Sequence, residues 1–87
     1  MSRTKPIFFS QHALDQLDER KIDREWAVRT LHEPGFARED QRKGGNWRAF
    51  REIPEAGGRW LRVVYLEKDE GQRIITVFLD RGAERWR

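Results

Sequence analysis

Between Phe9 and Leu31 the apolar positions return with a helical period. Ser10 is a good N-cap, with Phe9 before it and Leu14 four residues after it, the spacing of a hydrophobic staple. Ala13, Leu14 and Leu17 then form one apolar stripe. A second helix is expected from Asp23, another good cap, with Glu25 near its positive end. Its apolar residues are Trp26, Ala27, Val28 and Leu31, and Pro34-Gly35 ends it. A short turn near Lys21-Ile22 joins the two, so they form a helical hairpin.

Downstream the pattern changes. Residues 35–45 are polar and read as a loop ending in Lys43-Gly44-Gly45. Three strand candidates follow: Asn46 to Ile53, the least regular, then Arg59 to Glu67 and Gln72 to Asp80, both rich in β-branched and aromatic residues. Pro54-Glu55-Ala56-Gly57-Gly58 is a turn. Ile7-Phe8-Phe9 is either a short first strand or an extended lead-in, and Glu84-Arg85-Trp86-Arg87 is a polar tail. The expectation is an α+β domain over residues 1–87, with a two-helix hairpin packed on a three- to four-stranded antiparallel sheet.

In the last hairpin, Asp69-Glu70-Gly71 suits a three-residue loop with glycine in the left-handed position. Lys68 would then pair with Gln72, Val64 with Thr76 and Arg62 with Phe78. Leu61, Val63 and Tyr65 would share the helix-covered face with Ile75, Val77 and Leu79. The other face would carry Trp60, Arg62, Val64, Ile74, Thr76 and Phe78, a polar–apolar mixture suited to binding. A slip of one residue would exchange the two sets.

Composition limits the chemistry. The 87 residues are enough for one domain, 38% of them are charged, and four tryptophans and five phenylalanines supply the bulk. The absence of cysteine excludes a disulfide framework and a thiolate zinc site. His12 and His32 lack ligand-type spacing, and neither Lys43-Gly44-Gly45 nor Gly57-Gly58 matches a nucleotide-binding loop. No metal or cofactor is expected. The lead-in is too short for a signal-peptide core and no run reaches membrane-spanning length, so a cytoplasmic protein of bacterial type is the expectation. The net charge is +3, and all of the excess falls in residues 34–62, which also hold Trp47, Phe50 and Trp60. Basic residues interleaved with aromatics suit a nucleic-acid backbone with stacked bases. Ordinary solvated strands explain the same pattern.

His12 lies roughly 150° from the centre of the first apolar stripe, counting about 100° per residue. It therefore stands off the core in the first turn of its helix. The positive end of a helix disfavours a second positive charge, and a neutral imidazole is a suitable general base near pH 7. A surface histidine that merely begins a helix fits equally. Arg20, two turns on, could bind phosphate or serve the negative end of its own helix. Arg48, Arg51 and Arg62 lie on strands, where they could neutralise phosphate or pair with Glu52 or Glu67.

His12-Ala13-Leu14, Arg20-Lys21-Ile22, Pro34, Arg62-Val63-Val64 and Ile75-Thr76-Val77-Phe78, in that order, resemble the DUF4258 family over roughly residues 8–80. The family looks like a relative of the RelE and BrnT toxins. The resemblance implies a RelE-like fold of two helices against an antiparallel sheet. It also implies metal-independent RNA cleavage with the ribose 2′-hydroxyl as nucleophile, and roles for His12, Arg62 and Thr76. The chain departs from the pattern at Gln16, where family members often carry a basic residue, and at Lys21, where they often carry glycine.

Two functional expectations follow. The first is a RelE-like toxin or toxin relative, a metal-independent endoribonuclease. His12 would take the 2′-hydroxyl proton and Arg62, with Arg48 or Arg51, would stabilise the phosphate charge. Trp60 or Trp47 would stack a base, and Arg20 would add an RNA contact. The second is a non-catalytic module that binds RNA or a protein, such as an antitoxin, through the same face. A purely structural relative that dimerises through a strand edge is a third reading. RNA target and oligomeric state stay open.

Overall fold

The first helix forms where Ser10, held in an extended conformation, accepts a hydrogen bond from Ala13 N at 3.1 Å through its hydroxyl. The computed structural model describes residues 5–40 and 45–82. The expected loop at Lys43-Gly44 and the tail from Glu84 lie outside the described residues. Chain order is β1 (Ile7–Phe9), α1 (Gln11–Glu19), α2 (Arg24–His32), β2 (Phe36–Glu39), β3 (Asn46–Ile53), a 3-10 turn (Pro54–Ala56), β4 (Arg59–Lys68) and β5 (Gly71–Asp80). Asp23 caps α2 by accepting from Glu25 N at 2.9 Å. Between the helices, Ile22 N donates to Leu17 O at 2.9 Å and Lys21 N donates to Asp18 O at 3.4 Å. This is a Schellman ending, and Lys21, at φ 55, occupies its left-handed position. A glycine would adopt that conformation without steric cost.

The sheet differs from expectation. It has five strands in the order β1-β5-β4-β3-β2, and β1 runs parallel to β5 while the other pairs are antiparallel. The mixed five-stranded sheet replaces the expected three- to four-stranded antiparallel one. Ile7–Phe9 is a true strand, and the helical hairpin carries the chain from it to the opposite edge of the sheet. There β2 forms within the segment read as loop. Phe36 stacks on Phe50 with ring centroids 4.5 Å apart, and Gly35 N donates to Phe50 O at 2.7 Å.

The β4–β5 hairpin is tighter than expected. Lys68 pairs with Gly71 across Asp69-Glu70, so the loop has two residues. A bulge follows, in which Ile75 has no partner and Tyr65 pairs with Ile74. Beyond it the expected register holds, with Val64 opposite Thr76 and Arg62 opposite Phe78. The bulge exchanges two isoleucines: Ile74 is fully buried in the core and Ile75 only partly. Gly71 belongs to the strand because β1 crowds it. A Cβ there would lie 2.6 Å from Pro6 O and 2.9 Å from the Phe8 ring.

Both helices cover one face, α1 against β5 and α2 against β3 and β4. Their core contacts include Ala13, Leu17, Ile22, Ala27 and Leu31 above Ala49, Ile53, Leu61, Val63, Tyr65, Ile74 and Val77. Leu14, assigned to the stripe by spacing, is largely solvent-facing, and Gln16 is buried in its place. Gln16 Oε1 accepts a hydrogen bond from Val77 N at 2.9 Å. The amide thus replaces a strand partner for β5 beyond the end of β1, and its burial costs little because it is paired. No helix among the described residues is long and apolar enough to cross a membrane.

Candidate functional site

The face without helices is built in rows, because cross-strand partners project to the same side. One row runs Phe36, Phe50, Arg62, Phe78 across β2, β3, β4 and β5. The Arg62 guanidinium lies 5.6 Å from the Phe50 ring centroid and 5.1 Å from that of Phe78. Its Nη1 donates to Asp80 Oδ2 at 3.2 Å. Arg20, from the end of α1, extends the row with its guanidinium 5.9 Å from the Phe78 centroid. Trp60 closes one side of the row, tilted against Phe36 at 5.6 Å. Phe50 is fully buried, and among the described residues no helix covers it.

The neighbouring row is Arg38, Arg48, Val64, Thr76. Arg48 Nη2 donates to Asp40 Oδ2 at 3.2 Å. Thr76 and Arg62 are diagonal neighbours on one face, a relation that typically separates Cα atoms by about 7–8 Å.

α1 runs beside β5 in the same direction. Ser10 N donates to Ile74 O at 2.9 Å and Ser10 Oγ to Ile75 O at 3.2 Å, Gln16 meets Val77, and Arg20 reaches Phe78. His12, Gln16 and Arg20 are spaced i, i+4, i+8 and so form one row along the helix. At about 1.5 Å rise per residue, His12 stands about 3 Å beyond Ser10, level with the Ile75–Thr76 stretch. It is exposed.

The structure therefore brings Arg62, Thr76, Arg48 and Trp60 to one face, Arg20 reaches it from the end of α1, and His12 stands exposed in the first turn of that helix. The structure does not bring Trp47 and Arg51 to that face. Ala49 pairs with Val63, which turns Trp47 and Arg51 toward the helix side. Trp47 packs against the core, and Arg51 Nη1 donates to Glu33 O at the end of α2. Both therefore lie apart from Arg62, Thr76 and Trp60, on the opposite face of the sheet. Arg38 and Phe36 are members of the face that sequence reading missed, because β2 was read as loop. Gln16 was missed because its partner lies 61 residues away.

A lowered carboxyl lies elsewhere, at the turn beside α2. Arg29 donates to both Glu55 oxygens at 2.9 and 2.7 Å, and this hydrogen bonding lowers the Glu55 carboxyl to about 2. Burial pushes the Tyr65 phenol upward on the helix side. Among the described residues no three His, Cys, Asp or Glu side chains cluster closely enough to hold a metal ion.

Residues 9–79 match DUF4258, a domain of unknown function. The chain belongs to the DUF4258 family. The matched span runs from the residue before the α1 cap to the penultimate residue of β5, so the helix row and both central rows of the open face lie inside the DUF4258 domain. No curated protein matches the chain.

Proposed function

We propose that this DUF4258 chain is a RelE/BrnT-like toxin or toxin relative that cleaves RNA without a metal. The observation that carries this reading is that Gln16 meets the edge of β5 and Arg20 reaches the Phe78 ring, with His12 spaced i, i+4, i+8 with them on the same helix. In the reaction, His12 accepts the proton of the ribose 2′-hydroxyl. O2′ then attacks the adjacent phosphorus, the bond from phosphorus to O5′ breaks, and O5′ leaves with a proton from solvent. The products are a 2′,3′-cyclic phosphate and a 5′-hydroxyl. Arg20, which has no ion-pair partner among the described residues, supplies charge to the non-bridging oxygens. Arg62 and Arg48, positioned by Asp80 and Asp40, turn guanidinium N–H groups toward the phosphate oxygens, Thr76 donates a hydrogen bond, and Trp60 offers a ring to an unpaired base.

The second reading is a non-catalytic module that binds RNA or an antitoxin protein through the same face. It is favoured by those same two aspartate pairings, which give Arg48 and Arg62 structural employment. Incubation of purified protein with RNA in EDTA, with and without ribosomes, separates the readings. The nuclease reading expects 2′,3′-cyclic phosphate ends that disappear in His12→Ala. Binding that survives His12→Ala with no cyclic ends from the wild type supports the module.

A further inference from the structure

A cavity of about 370 Å³ opens where β1, the β4–β5 turn and the start of α1 meet. Its lining includes Phe8, Gln11, Lys68, Glu70, Gly71 and Arg73. Phe8 pairs with Arg73 in the β1–β5 ladder, and Lys68 pairs with Gly71 in the hairpin, so one aromatic ring and two cations converge from three strands. Burial does not explain Phe8, which is 53% exposed in a chain whose other phenylalanines are buried or half-buried. It rests instead against the bare backbone of Gly71, where any side chain would collide with the ring. That leaves a ring supported from one side and open on the other. Lys68 and Arg73 are exposed, and neither has an ion-pair partner among the described residues. This distinguishes them from Arg48 and Arg62, whose charges are met by aspartates on the same face.

We propose that this cavity is a subsite for one unpaired nucleotide of a single-stranded RNA. The base stacks on Phe8, and Lys68 and Arg73 meet the flanking phosphates. Stacking is tolerant of base identity because every base has a π-face. Glu70, the one carboxylate named in the lining, disfavours a ligand that offers only negative charge and can accept a hydrogen bond from an exocyclic amino group. Ser10 and Gln11 lie in the wall, so the subsite adjoins the first turn of α1. The subsite rests on the RNA reading above and names where the strand is gripped, but it does not require cleavage.

The test is fluorescence anisotropy of the full chain with a fluorescein-labelled 2′-O-methyl RNA pentamer, which lacks the nucleophilic hydroxyl and stays intact. Phe8→Ala weakens binding by about 5- to 150-fold, the range expected for loss of one base–aromatic stack. Phe8→Leu, which keeps apolar area without a π-face, weakens it comparably, and Phe8→Trp retains it. Arg73→Gln lowers the slope of log affinity against log salt by about 0.7, as expected for one lost phosphate contact on a single strand. Binding within twofold of wild type in both Phe8→Ala and Phe8→Leu overturns the subsite. The two readings fail separately. Cleavage of ordinary RNA with Phe8-independent binding removes the subsite and leaves the nuclease. Phe8-dependent binding without cyclic phosphate ends removes the nuclease and leaves the subsite.

Discussion

The two faces of the sheet use the same strands for different ends. On the helix side, Leu61, Val63, Ile74 and Val77 are fully buried and apolar, and α1 and α2 close over them. On the other side the same β4 and β5 present Arg62, Val64, Thr76 and Phe78, with arginine held between rings and against an aspartate. A buried apolar layer stabilises the fold and has little chemistry to offer. A half-buried layer of guanidinium, hydroxyl and aromatic groups gives up some burial and carries polar groups instead.

The contrast should fail at Phe50, the fully buried ring of the open face. Phe50→Ala is expected to cost about 3–5 kcal/mol in urea unfolding, comparable to about 2–5 kcal/mol for Leu61→Ala on the covered face. A cost below about 1 kcal/mol would show that the Phe36–Phe50–Trp60 cluster is surface ornament. Exposed Arg73 on the same face gives the opposite reference, since Arg73→Gln should change stability by less than about 0.5 kcal/mol.

Gln16 joins the two sides at the edge of β5. Gln16→Ala leaves the buried Val77 N–H without its acceptor and is expected to cost about 1–3 kcal/mol. Amide hydrogen exchange localises the effect, with Val77 losing protection first. Lys21→Gly is smaller and of opposite sign. It relieves a left-handed non-glycine residue at φ 55 and should stabilise by about 0.5–1 kcal/mol, read as a rise in the urea midpoint without a change in m.

The smallest effect is the exposed Arg29–Glu55 clasp between α2 and the 3-10 turn. The folded Glu55 carboxyl titrates at about 2, below its ordinary value, because Arg29 hydrogen-bonds the ionised form. Its stabilisation is therefore fully present above the unfolded carboxyl range and is lost as pH falls through about 2. Glu55→Gln should differ from wild type at neutral pH, converge with it on acidification, and differ less at high salt. A difference that grows on acidification would contradict the assignment.

The helices were legible because their signals are local. Ser10 and Asp23 cap within three residues, and Pro34 stops α2 as expected. The central register expected from a three-residue loop holds as well, because the two-residue loop and the bulge at Ile75 offset each other. What sequence pattern could not supply were contacts between distant residues. β2 offers one large apolar side chain in four, and what fixes it is Phe50 on another strand. Gly71 reads equally as the last residue of a loop or the first of a strand until Pro6 and Phe8 crowd it. Arg51 and Trp47 have the right chemistry for the open face, but the pairing of Ala49 with Val63 turns them away. The candidate site was legible at Arg62, Thr76 and Trp60, which inherit the β4–β5 register. It was not legible in Arg38 or in the way Arg20 reaches Phe78.

The most direct test of the central claim is to map the ends left on RNA by wild type and His12→Ala in EDTA, with thermal melts to confirm that both are folded. The account predicts 2′,3′-cyclic phosphate and 5′-hydroxyl ends from the wild type and their loss in the variant. Equal cleavage by the two folded proteins, or none by either with free RNA and with ribosomes, would contradict it.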